Sequence, residues 1–379
     1  HTVDVGDPTP SVTNVANLVA LDIALSAHFV DAVKSCWDSG DAVFPIDQRW
    51  PAPMRDRILA AMRPTHMIDA TGSRTRLAGG AETTDGDALL IATSGSTGAP
   101  KGVVHTFDSL RASANACHQR IGFNAHWLVC LPPAHIGGFS VIARSLLLGL
   151  PLTVVDMPKL EAITNTAHAG ANYVSIVPTM LDRIDASMFD VILVGGAKPP
   201  AHRPSNTVTT YGSTETGSGI AYDRRALEGV ELRIGPSDEV LVRGPMLMRS
   251  YRDGTAPVDS EGWLDTGDAG TLTADGTLSV HGRRSEMIIT GGENVWPDAV
   301  ERVLMSDSRV SHCAVFGRSD DTWGQAVCAI VVNTAPINDE ELRDLVSAEL
   351  PRFCVPKHIK FVDAIPQTPG GKVDRRALS

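Results

Sequence analysis

The residues best suited to chemistry lie in Thr93-Ser-Gly-Ser-Thr-Gly-Ala-Pro-Lys-Gly102, directly after the apolar run Ala88-Leu-Leu-Ile-Ala92. Hydroxyls, glycines and one lysine packed this closely make a loop that grips a polyphosphate. Gly95 and Gly98 let backbone amides turn toward an anion, Thr93, Ser94, Ser96 and Thr97 supply hydroxyl donors, and Lys101 adds a point charge. A Walker A loop needs Gly, then Lys, then Ser or Thr. Here Pro100 precedes Lys101 and Gly102 follows it, so the P-loop NTPase reading fails on spacing.

Four further segments follow in order: Tyr211-Gly-Ser-Thr-Glu-Thr216, Gly262-Trp-Leu-Asp-Thr-Gly-Asp268, Gly282-Arg-Arg-Ser-Glu-Met-Ile-Ile-Thr-Gly-Gly-Glu-Asn294 and Pro369-Gly-Gly-Lys-Val-Asp-Arg375. With the phosphate loop they resemble the five ordered motifs of the adenylate-forming superfamily, which includes acyl-CoA synthetases, peptide-synthetase adenylation domains and luciferases. The resemblance runs from about residue 88 to the end of the sequence. Upstream, only Ala42-Val-Phe-Pro-Ile-Asp47 offers a match.

The resemblance implies ATP, Mg²⁺ and CoA as co-substrates and a carboxylic acid as the group activated. Glu215 then holds the Mg²⁺ that bridges ATP phosphates, and Thr214 bonds the α-phosphate. Tyr211, beside Gly212, stacks on adenine, with Gly195-Gly-Ala197 as the opposite wall. Asp268 accepts from both ribose hydroxyls, which suits an acceptor-only group, and Arg283 adds a donor beside them. An Asp in such a turn can also serve the turn alone. Ser285 stands at the family's hinge position, where most members have Asp or Lys. Lys372 enters the active site in one domain orientation, and Gly291-Gly-Glu293 forms part of the CoA thiol channel in the other.

His135, in Leu131-Pro-Pro-Ala-His-Ile-Gly-Gly138, resembles the family residue that gates the acyl pocket. Gly138, Ser140, Arg144, Thr216 and Gly217 are the expected acid contacts. Arg144 interrupts the apolar helical pattern Gly137-Gly-Phe-Ser-Val-Ile-Ala-Arg-Ser145, and an arginine there needs an anionic partner. That partner is either an acid such as Asp182 or Asp185, or a spare substrate carboxylate. Together with Tyr211–Tyr222, the segment is similar to o-succinylbenzoate:CoA ligases of menaquinone biosynthesis, whose substrate has two carboxylates. Three alternatives stay open: a ligase for another aryl or short acyl acid, a stand-alone adenylating enzyme serving a carrier protein, and a non-catalytic nucleotide-binding protein. His105, His118, His126, His281 and His312 have no companions at ligand spacing and receive no role.

Positioning these residues takes more than one core's worth of chain, since 379 residues suggest two or three lobes. Strands are expected at Trp127–Leu131, Leu152–Val155, Tyr173–Val177, Val191–Val194 and Thr207–Thr210, spaced for intervening helices, which is the pattern of mostly parallel sheets. The fold expected is a large α/β N-terminal domain, 1–282, with a small β lobe at about 229–281 and an Asp275-Gly276 hairpin. A smaller mobile α+β domain, 283–379, follows. It has a helix from Pro297, strands near Ser311–Phe316, Ala326–Val332 and His358–Val362, and a helix opened by an Asn338/Glu341 capping box. The formal net charge of −11 argues against nucleic acid or an anionic membrane as a general partner. No apolar run reaches the roughly 18 residues of a membrane span, and the expected location is cytoplasmic. A homodimer is compatible with this reading. Six scattered cysteines without a C-x-x-C pair read as buried free thiols.

Overall fold

The computed structural model describes residues 15–94, 100–155, 170–197, 202–367 and 373–378, with positions 163, 165 and 167 between them. Contacts divide the chain into two compact units. The first gathers residues up to 223 with 227–230 and 244–257; the second gathers 224–226, 231–243 and 258 onward. Most of the β lobe therefore groups with the C-terminal part in this division, whereas the sequence reading puts the domain boundary at 282.

In the first unit, a seven-stranded sheet runs in the order Ser250–Tyr251, Pro100–Thr106, Asp87–Ser94, Ala42–Pro45, Leu18–Asp22, His66–Asp69, Arg74–Arg76. Its middle is parallel, and Asp87–Ser94 folds back on Pro100–Thr106 as an antiparallel hairpin. Leu18, Ala20, Phe44 and Leu90 are buried on it, against Ile58 and Met62 of helix α2 (Ala52–Met62), which follows helix α1 (Ala27–Asp38). Helix α3 (Phe107–Ile121) starts at the end of this hairpin. Thr106 Oγ1 accepts from Ser109 N, and Ser109 Oγ accepts from Thr106 N, a reciprocal cap that satisfies two otherwise orphaned donors.

A second sheet in this unit orders Leu152–Val154, Trp127–Val129, Tyr173–Ile176, Val191–Val194, Thr207–Ser213 and Ser218–Tyr222. All neighbours are parallel except the last pair. The five expected strands are all present; two residues are trimmed from the first, and the last extends to Ser213. Their continuous apolar runs follow from burial on both faces, with Leu128, Val174, Ile192 and Val194 in the core. Helix α4 (Ile136–Leu148) packs on this sheet and on α3, and ends at Gly149 in the left-handed region, φ +67°.

The second unit contains a four-stranded antiparallel sheet, Glu231–Ile234, Glu239–Arg243, Leu264–Leu272 and Leu278–Arg283, the last pair joined through Asp275-Gly276. It also contains a five-stranded sheet formed by Ile288–Thr290, Glu293–Val295, Val310–Asp320, Gly324–Asn333 and His358–Phe361. The helix Pro297–Leu304 begins at the expected proline, and Asn338 and Glu341 make the expected capping box for Asp339–Glu349. All six cysteines are free and five are buried. Among the described residues no helix is long and apolar enough to cross a membrane.

Candidate active site

The second sheet sets the site out. Its parallel strands share one carboxyl edge, and the loops leaving that edge carry Leu131–His135, Val177–Thr179, Gly195-Gly196-Ala197 and Thr214–Gly217. Ligands of open α/β sheets bind outside this edge. Candidate residues separated by up to about 80 positions are thereby brought to one side of one sheet.

The expected phosphate loop lies in sequence between two strands of the other sheet that pair as a hairpin, Thr93 with Lys101 and Ser94 with Pro100. Thr93 Oγ1 donates to the Lys101 carbonyl at 3.3 Å. Gly95, Ser96, Thr97 and Gly98 lie outside the described residues, as does the side chain of Ser94.

Two contacts tie this hairpin to the Thr214–Gly217 turn. His105, fully buried, places Nε2 2.7 Å from the Thr214 carbonyl and Nδ1 3.2 Å from Ser109 Oγ. Burial pushes its pKa down to about 4, against the opposing pull of the Thr214 carbonyl and Glu215. The ring is thus neutral at pH 7 and donates Nε2–H to Thr214. Second, the Lys101 ammonium sits 4.7 Å over the Tyr251 ring, and the Tyr251 hydroxyl donates to Glu215 Oε1 at 3.3 Å. Lys101, Tyr251 and Glu215 stand in a row.

The turn itself is closed internally. Thr216 Oγ1 accepts from Ser213 N at 2.8 Å and lies within bonding distance of the Ser213 and Ser218 carbonyls, so this expected acid contact commits its hydroxyl to the turn. Ser113 Oγ of α3 donates to the Gly217 carbonyl at 3.1 Å. Gly138 has a packing reason to lack a side chain: a Cβ there would lie 2.4 Å from the Pro132 carbonyl oxygen.

Arg144 is 2% exposed. Its guanidinium lies 4.8 Å over the Trp127 ring, and Nη2 donates to Ser140 Oγ at 3.1 Å. Nε and Nη1 are buried without a hydrogen-bond partner among the described residues. Tyr222 lies beside it; burial raises its hydroxyl well above the ordinary value, the nearby Cys117 adds to this, and Arg144 pulls the other way.

His135 caps the start of α4 and meets two residues that carried no role in the sequence reading. Arg49 Nη2 is 2.8 Å from His135 Nε2, and Asp47 Oδ2 is 3.3 Å from the same nitrogen. Asp47 ends the one upstream match, so a signal for it existed; Arg49, Tyr251 and His105 had none, because each acts through a contact distant in sequence.

The second unit holds the remaining candidates. Asp268 and Arg283 are register partners on adjacent strands, with Arg283 Nε 3.0 Å from Asp268 Oδ1. Ser285 is exposed, in the 3₁₀ turn Arg284–Glu286 that leaves this sheet. Gly291 and Gly292 form a two-residue hairpin turn with φ +60° and +84°, left-handed values that favour glycine at both positions. Lys372 lies outside the described residues; of the residues flanking it in sequence, Gln367 bridges Val373, and Arg375 donates to Glu286 and Glu301, each at 2.9 Å.

The chemistry of this donor set suits MgATP. Glu215 offers a single carboxylate, and no group of three or more potential metal ligands occurs among the described residues. One carboxylate plus substrate phosphates is how Mg²⁺ is commonly held, so Glu215 fits it.

Comparison with known proteins agrees with this reading. Residues 80–252 match the family described as AMP-binding enzyme, and residues 299–372 match the AMP-binding enzyme C-terminal domain. A probable 2-succinylbenzoate–CoA ligase of Mycobacterium tuberculosis is 34% identical, the match covering 86% of this chain and 93% of that protein. A 2-succinylbenzoate–CoA ligase of Bacillus licheniformis is also 34% identical, covering 78% of this chain and 70% of that protein. Among solved structures, o-succinylbenzoate CoA synthetase from Bacillus subtilis in complex with its acyl-adenylate superposes with a TM-score of 0.86 at 26% identity, covering 97% of this chain and 89% of that one. The amide bond synthetase McbA from Marinactinospora thermotolerans gives 0.84 at 25%, covering 96% and 89%.

Proposed function

The chain belongs to the adenylate-forming family of AMP-binding enzymes, and on that premise we propose that it is an acid:CoA ligase acting on o-succinylbenzoate. A carboxylate and ATP would form acyl-adenylate and pyrophosphate; CoA would then displace AMP to give the thioester.

The observation that carries the reading is the junction between hairpin and turn. Bringing a carboxylate to ATP places anions together, so charge must be neutralised first. Lys101 and the hairpin amides would meet the outer phosphates, Thr214 would bond the α-phosphate, and Glu215 would hold Mg²⁺, which supplies charge neutralisation across the phosphates. Tyr211 and Gly195-Gly196-Ala197 would enclose adenine. Asp268, already paired with Arg283, would accept from the ribose.

His135 and Arg144 would receive the acid from the two ends of α4, the first at the carboxylate being activated and the second at the spare one. Two buried guanidinium nitrogens without a partner among the described residues are what a second carboxylate would satisfy. Lys372 would bring its ammonium to the reacting carboxylate and α-phosphate in one orientation of a mobile domain, 283–379, and withdraw as that domain turns at Ser285 to present Gly291 and Gly292 to the thiol. Such an enzyme would work in the cytoplasm as a monomer or homodimer and, with a net charge of −11, without nucleic acid.

The test is ATP–pyrophosphate exchange across a panel of carboxylic acids. Exchange driven by o-succinylbenzoate above aryl and fatty monoacids supports the assignment; exchange with a plain fatty or aryl acid instead rejects the substrate while keeping the chemistry.

A further inference from the structure

Asp47, Arg49 and His135 form a cluster whose hydrogen bonding leaves little freedom. Arg49 grips Asp47 with two prongs, Nε to Oδ1 at 2.8 Å and Nη2 to Oδ2 at 2.6 Å, and its own amide donates to Oδ1 at 3.0 Å. Asp47 is 4% exposed. Burial alone would raise its carboxyl, but hydrogen bonds from Arg49 and contact with His135 outweigh it and hold the group well below the ordinary carboxylate range.

The same Nη2 lies 2.8 Å from His135 Nε2. A guanidinium nitrogen only donates, and Nη2 carries two hydrogens, one for Asp47 Oδ2 and one available to the imidazole. For the 2.8 Å contact to be a hydrogen bond Nε2 must accept, which puts the ring hydrogen on Nδ1. The opposite tautomer would direct Nε2–H at Asp47 Oδ2 over a longer 3.3 Å and set it against the Arg49 hydrogens. The backbone of His135 is fixed independently, because its carbonyl accepts from Gly138 N and Phe139 N in the first turn of α4.

We propose that Arg49, locked by Asp47, is a positioning residue that fixes His135 as the Nδ1–H tautomer, so that the imidazole meets the acyl group as a hydrogen-bond donor and not as a proton acceptor. The tautomer follows from the cluster alone; what Nδ1–H faces rests on the function proposed above. It follows that His135 orients and polarises an acyl oxygen, and that it does not take the thiol proton in the second half-reaction.

Nitrogen-15 NMR of the full chain labelled at histidine, with His135 assigned by its loss in His135→Gln, reads the tautomer directly. The wild type should show a protonated Nδ1 and an acceptor Nε2. Arg49→Met should move the proton toward Nε2, where Asp47 now accepts it, and lower kcat for adenylate formation about tenfold with KM for ATP unchanged. Arg49→Lys, which restores a donor, should keep the wild-type tautomer and guards against misfolding of the Met variant. An Nε2–H or doubly protonated His135 in the wild type overturns the proposal, as does a tautomer and kcat unmoved in Arg49→Met. If the tautomer behaves as stated while no acid drives adenylation, the cluster is right and the proposed function is wrong.

Discussion

Replacing Arg144 with methionine separates a structural arginine from one kept for a ligand. In the unliganded protein the substitution removes the bond to Ser140 Oγ and the stacking on Trp127, together about 3 kcal/mol. It also relieves a buried cation of which two N–H nitrogens are empty, a relief of about 4 kcal/mol on the usual scale for ion desolvation and unmet donors. The net is a gain of about 1 kcal/mol, a rise in Tm of about 2–4 °C for a unit of this size. With the dicarboxylic acid the sign reverses. Loss of the partner for a buried carboxylate should cost about 2–4 kcal/mol in kcat/KM, roughly 30- to 1000-fold, and a monocarboxylic analogue should lose far less. Differential scanning calorimetry of both proteins, with and without each acid, and pyrophosphate-exchange kinetics supply the two readouts. A fall in Tm of several degrees, together with equal kinetic losses for both acids, would refute the reasoning and make Arg144 structural.

Three further outcomes follow from the site. Lys372→Ala should abolish adenylation while largely sparing CoA transfer from supplied acyl-adenylate; equal losses in both half-reactions would exclude the domain-rotation scheme. Glu215→Gln should weaken use of MgATP far more than binding of preformed acyl-adenylate, which has lost the pyrophosphate, and an unchanged Mg²⁺ titration would remove Glu215 from the metal. His105→Leu, which leaves the buried Thr214 carbonyl unpaired, should cost about 1–3 kcal/mol, seen as roughly a tenfold or larger drop in kcat/KM for ATP that His105→Gln partly restores; unaltered ATP kinetics in the Leu variant would dissociate that bond from nucleotide handling.

Much of this architecture was legible in the amino-acid order because the decisive signals are local. Pro297 and the Asn338/Glu341 pair mark helix starts through contacts within four residues, and the apolar runs at Tyr173–Ile176 and Val191–Val194 report strands buried on both faces. The Thr214–Gly217 turn carries its signal in one short segment, as does the expected phosphate loop, whose residues 95–98 lie outside the described ones. What escaped was long-range. His105 finds Thr214 across 109 positions and Arg49 finds His135 across 86, and no local pattern announces either. Arg144 meets the Trp127 ring, a contact across 17 positions that no local pattern announces. Most of the β lobe groups with the C-terminal part, its four sheet strands pairing with one another, whereas Ser250–Tyr251 joins the sheet of the first unit, a property of topology that residue order alone does not carry.

The central claim is tested most directly by mass spectrometry of a single turnover with ATP, Mg²⁺ and o-succinylbenzoate, before and after CoA is added. The account predicts an acyl-adenylate and pyrophosphate in the first sample, converted by CoA into the thioester with release of AMP. Formation of ADP, or an adenylate that CoA leaves unchanged while an amine or a carrier-protein thiol consumes it, would contradict the assignment as an acid:CoA ligase.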